Sequence, residues 1–324
     1  MRPRVTILIL NWNGKDDTLR CLESLQKLSY DAQILLIDNG STDGSVQEIH
    51  KAFPTVEVVE TRENLGFAEG NNVGIRMALA RGAEYVLLLN NDTVVEADLI
   101  ESFLEVFESH PQAGIVGGKI VLYEAPELLD HWGGKWNQDR GVFDFIGLRE
   151  KEETYLSSFD LDYVCGAAFM VQRKVFETIG LLEKKFFVLW EEADFCFRAR
   201  KRGFNSYTAP KAKVRHKVSV SFVGGKPHST YFWWRNRLLW IRRNCSWKER
   251  VSLWQRILLP QIFHLMKIQI LNSLQLLFYT IFKKKEKKQR KKNSLRQNRA
   301  ALHGVRDYLL KRFGQGPTWI YYKV

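Results

Sequence analysis

Asn90-Asn91-Asp92 closes the apolar run Tyr85-Val86-Leu87-Leu88-Leu89. A run that apolar and that short, following Gly82, reads as a strand buried on both faces. In an open α/β sheet, ligands bind just beyond the carboxyl ends of the strands. A carboxylate there, with amides beside it, can hold a divalent cation against a phosphate. The same residues also suit a plain polar turn. A second acidic group, Glu191-Glu192-Ala193-Asp194, follows Phe186-Phe187-Val188-Leu189-Trp190 and opens a helix that Gly203 ends. A carboxylate at such a helix start can take the proton of an attacking hydroxyl. Acids in its first turn and Arg198, Arg200, Lys201 and Arg202 near its end also fit the helix dipole without any chemistry.

These groups need a frame. Strand-like runs at residues 5–10, 33–37, 56–59 and 84–89 alternate with helical patterns at 16–28, 44–52, 70–81 and 97–108. Such alternation predicts an α/β fold with a mostly parallel central sheet, right-handed crossovers and flanking helices. Polar clusters then follow each strand: Asn11-Trp12-Asn13-Gly14, Asp38-Asn39-Gly40-Ser41, Asn64 through Gly66 and Gly70 to Asn71-Asn72, and Asn90-Asn91-Asp92. All four fall on one sheet edge, which points to a nucleotide cleft. Asp38 can accept from a base N–H, and Asn11 or Trp12 can line the base. The loop of Gly66 and Gly70 lets backbone amides approach a phosphate at a helix start. A GxxxxGK[ST] loop is absent, and no GxGxxG follows the first strand, which disfavours ATP hydrolysis and dinucleotide chemistry.

Farther on the pattern loosens. Residues 117–162, rich in glycine and aromatics, read as irregular strands and a long loop that faces substrate. Residues 162–171 read as one strand with small residues, Gly166-Ala167-Ala168, at its centre. The chain carries a formal charge of +13, and residues 283–292 hold eight basic residues against one acid. Charge so concentrated suits an anionic surface for one segment, not a protein built to grip nucleic acid. Just before it, residues 253–282 place Phe263, Met266, Ile270, Leu274, Leu277 and Ile281 on one helical stripe. That helix can lie in a membrane interface beside the basic run, or pack on the catalytic domain or a second copy. A further helix is expected over 298–312. Four cysteines with no metal-like spacing are read as free thiols in a reducing cytoplasm. The first apolar run is too short for a signal peptide or membrane span.

Taken in order, Ile7-Leu8-Ile9-Leu10-Asn11-Trp12-Asn13-Gly14, Ile37-Asp38-Asn39-Gly40-Ser41-Thr42-Asp43-Gly44, Asn64-Leu65-Gly66-Phe67-Ala68-Glu69-Gly70-Asn71-Asn72 and Asn90-Asn91-Asp92-Thr93 resemble family-2 glycosyltransferases of the GT-A fold. The likeness is greatest to the rhamnosyltransferases of bacterial surface polysaccharides. It continues through Gly166-Ala167-Ala168-Phe169-Met170, Trp190-Glu191-Glu192-Ala193-Asp194 and Val214-Arg215-His216, covering about residues 4–245. The resemblance implies a GT-A domain over 1–245, with a donor half (1–120) and an acceptor half (121–245). A helical amphipathic arm (246–324) with a basic linker (283–292) would follow.

It implies inverting transfer from a nucleotide-sugar donor, dTDP-rhamnose above UDP-galactose or UDP-N-acetylglucosamine, to a glycan or lipid-linked glycan. The enzyme would sit on the inner face of the cell membrane, with homo-oligomers left open. A non-catalytic nucleotide-sugar-binding protein is the rival class. Donor contacts would come from Asn11, Trp12, Asp38, Asn39, Asn64, Gly66, Asn71 and Asn91. Asp92 and His216 would hold Mg²⁺ or Mn²⁺. Glu192 is the expected base, with Glu191 the lesser candidate, because the family's usual Glu-Asp pair is Glu-Glu here. Trp190 and Asp194 would face the acceptor, and Tyr231, Arg235 and Asn236 would reach diphosphate or acceptor.

Overall fold

The computed structural model describes residues 2–217, 226–281 and 285–321. Its elements begin with the predicted alternation: β1 (Val5–Asn11), α1 (Lys15–Leu25), β2 (Gln33–Asp38), α2 (Ser45–Ala52), β3 (Glu57–Glu60), α3 (Gly66–Ala80), β4 (Tyr85–Asn90). β1 pairs in parallel with β2 and β4, and β2 with β3. The apolar residues 86–89 are buried, as a strand covered on both faces requires. Helix α3 starts at Gly66, four residues before the expected Gly70. Gly66 is left-handed (φ +79°), and a Cβ on it would lie 2.6 Å from the Phe187 carbonyl oxygen, so only glycine fits this turn.

The chain continues through β5 (Thr93–Val95), α4 (Leu99–Ser109), β6 (Ala113–Leu122), β7 (Gly133–Asn137), β8 (Val142–Ile146), β9 (Asp160–Leu161), β10 (Tyr163–Val164), β11 (Ala168–Gln172), α5 (Arg173–Ile179), α6 (Glu191–Arg200) and β12 (Asn205–His216). The main sheet runs β3-β2-β1-β4-β11-β6-β12-β5, with β9 on β12; β7 lies between β10 and β8 in a small second sheet. The sheet is mixed, because β11 runs antiparallel to both β4 and β6.

Two expectations are corrected here. Residues 117–162 are not irregular from their start: β6 is a ten-residue strand, buried over nearly its whole length. Its three glycines hide it from a propensity reading, and packing explains them. A Cβ at Gly114 would lie 2.6 Å from Phe204 Cβ, and one at Gly117 would lie 2.5 Å from Val164 Cβ. The expected strand 162–171 is in fact two, since the chain leaves β10 and enters β11 across Cys165, Gly166 and Ala167.

The chain divides into two units. One comprises Met1–Trp136, Phe143–Phe187 and Glu191–Val218; the other comprises Asn137–Val142, Val188–Trp190 and Ser219–Val324. The second unit is helical: α7 (Pro227–Asn244), α8 (Trp247–Leu253), α9 (Leu259–Ile281) and α10 (Lys285–Leu309). A π-helical turn, Trp254–Leu258, joins α8 to α9 just before Pro260, whose missing N–H interrupts the regular ladder. Helix α7 was not foreseen, and it belongs with the C-terminal helices. The expected basic linker is helical from Lys285, and the helix expected over 298–312 is the second half of α10. Lys283, Lys284 and Phe282 lie outside the described residues, as do the side chains of Leu277 and residues 285–288.

Within this unit α7 and α10 approach closely at Gly304. A Cβ there would meet the Tyr231 carbonyl oxygen at 2.5 Å and the Arg235 nitrogen at 3.1 Å. The Tyr231 hydroxyl donates to Asp307 at 2.9 Å across the same contact. Backbone cannot yield as a side chain does. Gly304→Ala is therefore expected to destabilise the protein by about 1–3 kcal/mol, read as a lower urea midpoint; an unchanged midpoint would refute the close contact.

Candidate active site

The carboxyl edge of the main sheet is built around a buried amide. Asn11, 0% exposed at the end of β1, donates through Nδ2 to Asp38 Oδ2 (2.8 Å), Ser41 Oγ (3.1 Å) and Ser45 Oγ (2.9 Å). Its Oδ1 accepts from the Gly14 amide (3.2 Å), Thr18 Oγ1 (2.9 Å) and Asn91 Nδ2 (3.2 Å). Asp38 Oδ1 accepts from the Ser41 amide at 2.9 Å. Asn39 donates to Asn64 Oδ1 and the Gly66 carbonyl, and accepts from the Leu65 amide. Asn71 is buried and donates to the Phe67 carbonyl. Asn11 and Asn39 thus shape the strand-end turns, while Asn71 is held within α3. Trp12, 47% exposed, and the half-buried Asn64 and Asn91 are the expected donor contacts with surface to offer.

The Asn90–Asp92 turn is anchored across the sheet. The Asn90 amide donates to the Ala167 carbonyl at 2.9 Å, and Thr93 Oγ1 donates to the Asn90 carbonyl at 2.7 Å. β12 pairs antiparallel with β5 so that His216 lies opposite Thr93. That register brings His216 Nε2 within 3.2 Å of Asp92 Oδ1, pairing two residues 124 positions apart, the two that the resemblance expects to share a metal. The other ring nitrogen, Nδ1, lies 3.2 Å from Asp130 Oδ2. Burial works against charge on the imidazole, but Asp130 and Asp92 outweigh it and raise His216 to about 10. Asp130 in turn is held below the usual carboxylate range: burial opposes this, and His131 and His216 overcome it. An imidazolium therefore donates to both carboxylates. The donor set suits a hard divalent cation, which would take the place of the Nε2 proton while Asp130 keeps orienting the ring. Asp130 was missed from sequence. Its only signal is position, since it accompanies the chain's return along β6, where its amide donates to the Ile120 carbonyl.

Helix α6 presents its acids in its first turn. Glu192 lies over Gly166, whose built Cβ would be 3.6 Å from Glu192 Cγ and 3.8 Å from Oε1. A side-chain carbon there would make only ordinary contact, and Gly166 sits one position from the carbonyl that anchors Asn90. Glu191 is buried, and its Oε2 has no hydrogen-bond partner among the described residues. Burial first, and the Glu192 charge second, push Glu191 well above the ordinary carboxylate range. Asp194 is 0% exposed and binds Arg198 Nε at 2.8 Å, while the same guanidinium donates to the Ile179 and Leu181 carbonyls. Its role in the structure is to fix α6, and it offers no surface to an acceptor.

In the second unit, Trp190 packs near the rings of Trp233 and Trp240, at centroid distances of 6.3 and 6.0 Å. Leu189 and Trp190 are left-handed, at φ 70° and 77°. Asn236 Nδ2 donates to the Val188 and Leu189 carbonyls, 2.8 Å each, which holds this strained backbone. Arg235 is buried, donates to the Gly314 carbonyl and lies over the Phe232 ring. Tyr231, Arg235 and Asn236 are thus engaged inside the helical unit, which corrects their expected reach to diphosphate or acceptor.

Residues 6–180 match the family model described as glycosyl transferase family 2. The low-salt glycan biosynthesis hexosyltransferase Agl10 of Haloferax volcanii is 27% identical over 241 residues, 74% of this chain and 76% of its own. The N-acetylglucosaminyl-diphospho-decaprenol L-rhamnosyltransferase of Mycobacterium tuberculosis is 26% identical over 243 residues, 65% of this chain and 79% of its own. Among solved structures, the mannosyltransferase PcManGT of Pyrobaculum calidifontis, in complex with GDP-Man and Mn²⁺, superposes with TM-score 0.56 at 14% identity. It covers 96% of this chain and 88% of that one. That likeness supports the GT-A fold.

A buried Glu191 with a raised folded value binds a proton that the unfolded chain releases. The stability it contributes is complete below the ordinary Glu value of 4.5 and is lost as pH rises through the folded value. Glu191→Gln is expected to flatten this loss, so that urea midpoints from about pH 5 to about pH 8 fall less than in the parent. A parallel fall in both proteins would contradict the raised Glu191.

Proposed function

Because the chain belongs to glycosyl transferase family 2, we propose that it is an inverting transferase that moves L-rhamnose from dTDP-rhamnose to a hydroxyl of a lipid-linked glycan. The observation that carries this reading is the Asp92–His216 pair at the strand ends, with Glu192 over Gly166 beside the same turn. The rhamnosyl donor and lipid-linked acceptor are supported by the mycobacterial relative's name.

Glu192 takes the acceptor's proton as its oxygen bonds to the anomeric carbon, and the bond to the diphosphate breaks on the opposite face with its electron pair leaving on the diphosphate. One displacement with one base inverts the centre. Glu191 is buried, and burial disfavours the charge that a base must carry. Asp92 and His216 would hold Mg²⁺ or Mn²⁺, which when bound offsets the charge of the departing diphosphate. Manganese in the PcManGT complex supports that choice. Trp12, Asn64 and Asn91 line the donor, and Asn11, Asp38, Asn39 and Gly66 hold the turns that receive it.

The second unit supplies the place of action. Phe263, Met266, Ile270, Leu274 and Ile281 of α9 are exposed, while Asn272 is buried and bonded to Ser294 and Lys291 of α10. Asn272 thus ties α9 to its neighbour, and the apolar stripe lies open beside the exposed His264, Lys267 and Gln275. The helical stretch Trp247–Leu276 is also long and apolar enough to cross a membrane by length and composition. We favour an interfacial helix on the inner face of the cytoplasmic membrane, with the basic start of α10 meeting anionic lipid.

A donor panel with Mg²⁺ or Mn²⁺ and lipid-linked acceptors should release dTDP from dTDP-rhamnose. Release from UDP-galactose or UDP-N-acetylglucosamine alone would replace the donor, and donor binding without turnover would favour a non-catalytic role. Glu192→Gln should lower turnover by roughly 10²–10⁴-fold with donor affinity retained; full activity would move the base elsewhere. Phe263→Glu with Ile270→Glu should abolish sedimentation of the full chain with anionic vesicles, and undiminished pelleting would sink the membrane assignment.

A further inference from the structure

Beside His216 lies a second group of ligand atoms. Asp130, His131 and Cys165 each offer one atom, all within 4.8 Å of one another. Backbone bonds lock the two segments that carry them: the Asp130 amide donates to the Ile120 carbonyl, and the Cys165 amide donates to the Trp132 carbonyl at 2.9 Å. His131 Nδ1 lies 3.6 Å from Asp130 Oδ1. Tetrahedral coordination with bonds of about 2.0–2.3 Å places neighbouring ligand atoms about 3.4–3.6 Å apart. The Asp130–His131 pair already has that spacing, and the Cys165 sulfur, no more than 4.8 Å from either, needs a shift of about 1 Å at most. Asp130 and Cys165 are buried, and His131 retains partial access to solvent.

The chemistry of this set differs from that of the Asp92–His216 pair. A thiolate beside an imidazole and a carboxylate selects a borderline-soft ion, where oxygen-rich surroundings select magnesium or manganese. We propose that Asp130, His131 and Cys165 form a second cation site, for zinc, that shares Asp130 with the support of His216. One carboxylate serves both: Oδ1 faces His131 and Oδ2 faces His216. Zinc on Oδ1 draws Asp130 toward His131 and weakens its hold on the His216 ring, so occupancy of this site lowers transfer. The site stands on its own geometry, whereas the coupling rests on the role proposed for His216.

Cobalt(II) tests the site, because a cysteine thiolate bound to it gives a charge-transfer band in the near ultraviolet. The full chain, with Mg²⁺ in excess, should bind one equivalent of cobalt with that band. Cys165→Ser should lose the band, and Asp92→Asn should keep it. His131→Gln should weaken cobalt binding at least roughly tenfold, which serves as the test should Cys165→Ser fail to fold. A missing band, or a band that survives Cys165→Ser, overturns the site. Zinc titrated into a turnover assay at saturating Mg²⁺ should inhibit the parent more than His131→Gln, and equal inhibition overturns the coupling.

Discussion

The site rests on one carboxamide. Asn11 has no solvent to fall back on, so each of its polar atoms must be satisfied by protein, and the turns that satisfy it become fixed relative to one another. Its NH₂ group gathers the β2 turn through Asp38, Ser41 and Ser45; its carbonyl gathers the start of α1 and, through Asn91, the end of β4. Aspartate in its place would lose the donors, and leucine would leave several buried partners unmatched at about 1–3 kcal/mol for each. The carboxyl edge is rigid because a single side chain closes the hydrogen-bond account of three segments.

The first half of the fold was legible because β1, β2 and β4 are apolar runs with no glycine, bounded by amides and glycines. β6 was illegible for the opposite reason. Gly114, Gly117 and Gly118 serve neighbours that a linear reading cannot see, Phe204 and Val164 among them. The same limit applied to the site. Asn and Asp residues at strand ends signal a ligand edge, but they do not reveal which side chains are consumed within it. Asn39 and Asn71 carry the same letter as Asn91, and only packing separates a side chain held within the fold from a surface that can meet a donor. Asp130 lacked any motif, because its partner is the far nitrogen of a histidine 86 residues away.

The helical unit shows how an abundance of cationic residues can be structural. Arg237 is buried, yet it donates to the Arg140 and Gly141 carbonyls and to Gln261, with the Trp233 ring beneath its guanidinium. Burial pushes it down to about 10. Carbonyl oxygens and an aromatic face replace water for the delocalised charge where a lysine would need a carboxylate. Part of the positive balance of the chain therefore serves internal cohesion.

β12 pairs with β6 through two shifts in register, one between Asn205 and Ser206 and a larger one between Ala209 and Lys213. The larger shift makes the strand a divided ruler. Length changes within it can be absorbed before pairing resumes at Lys213. Beyond it, Val214, Arg215 and His216 are each indexed against both β6 and β5, and losing one would turn His216 to the opposite face of the sheet. Tolerance to insertion and deletion along one strand thus changes abruptly over a few residues.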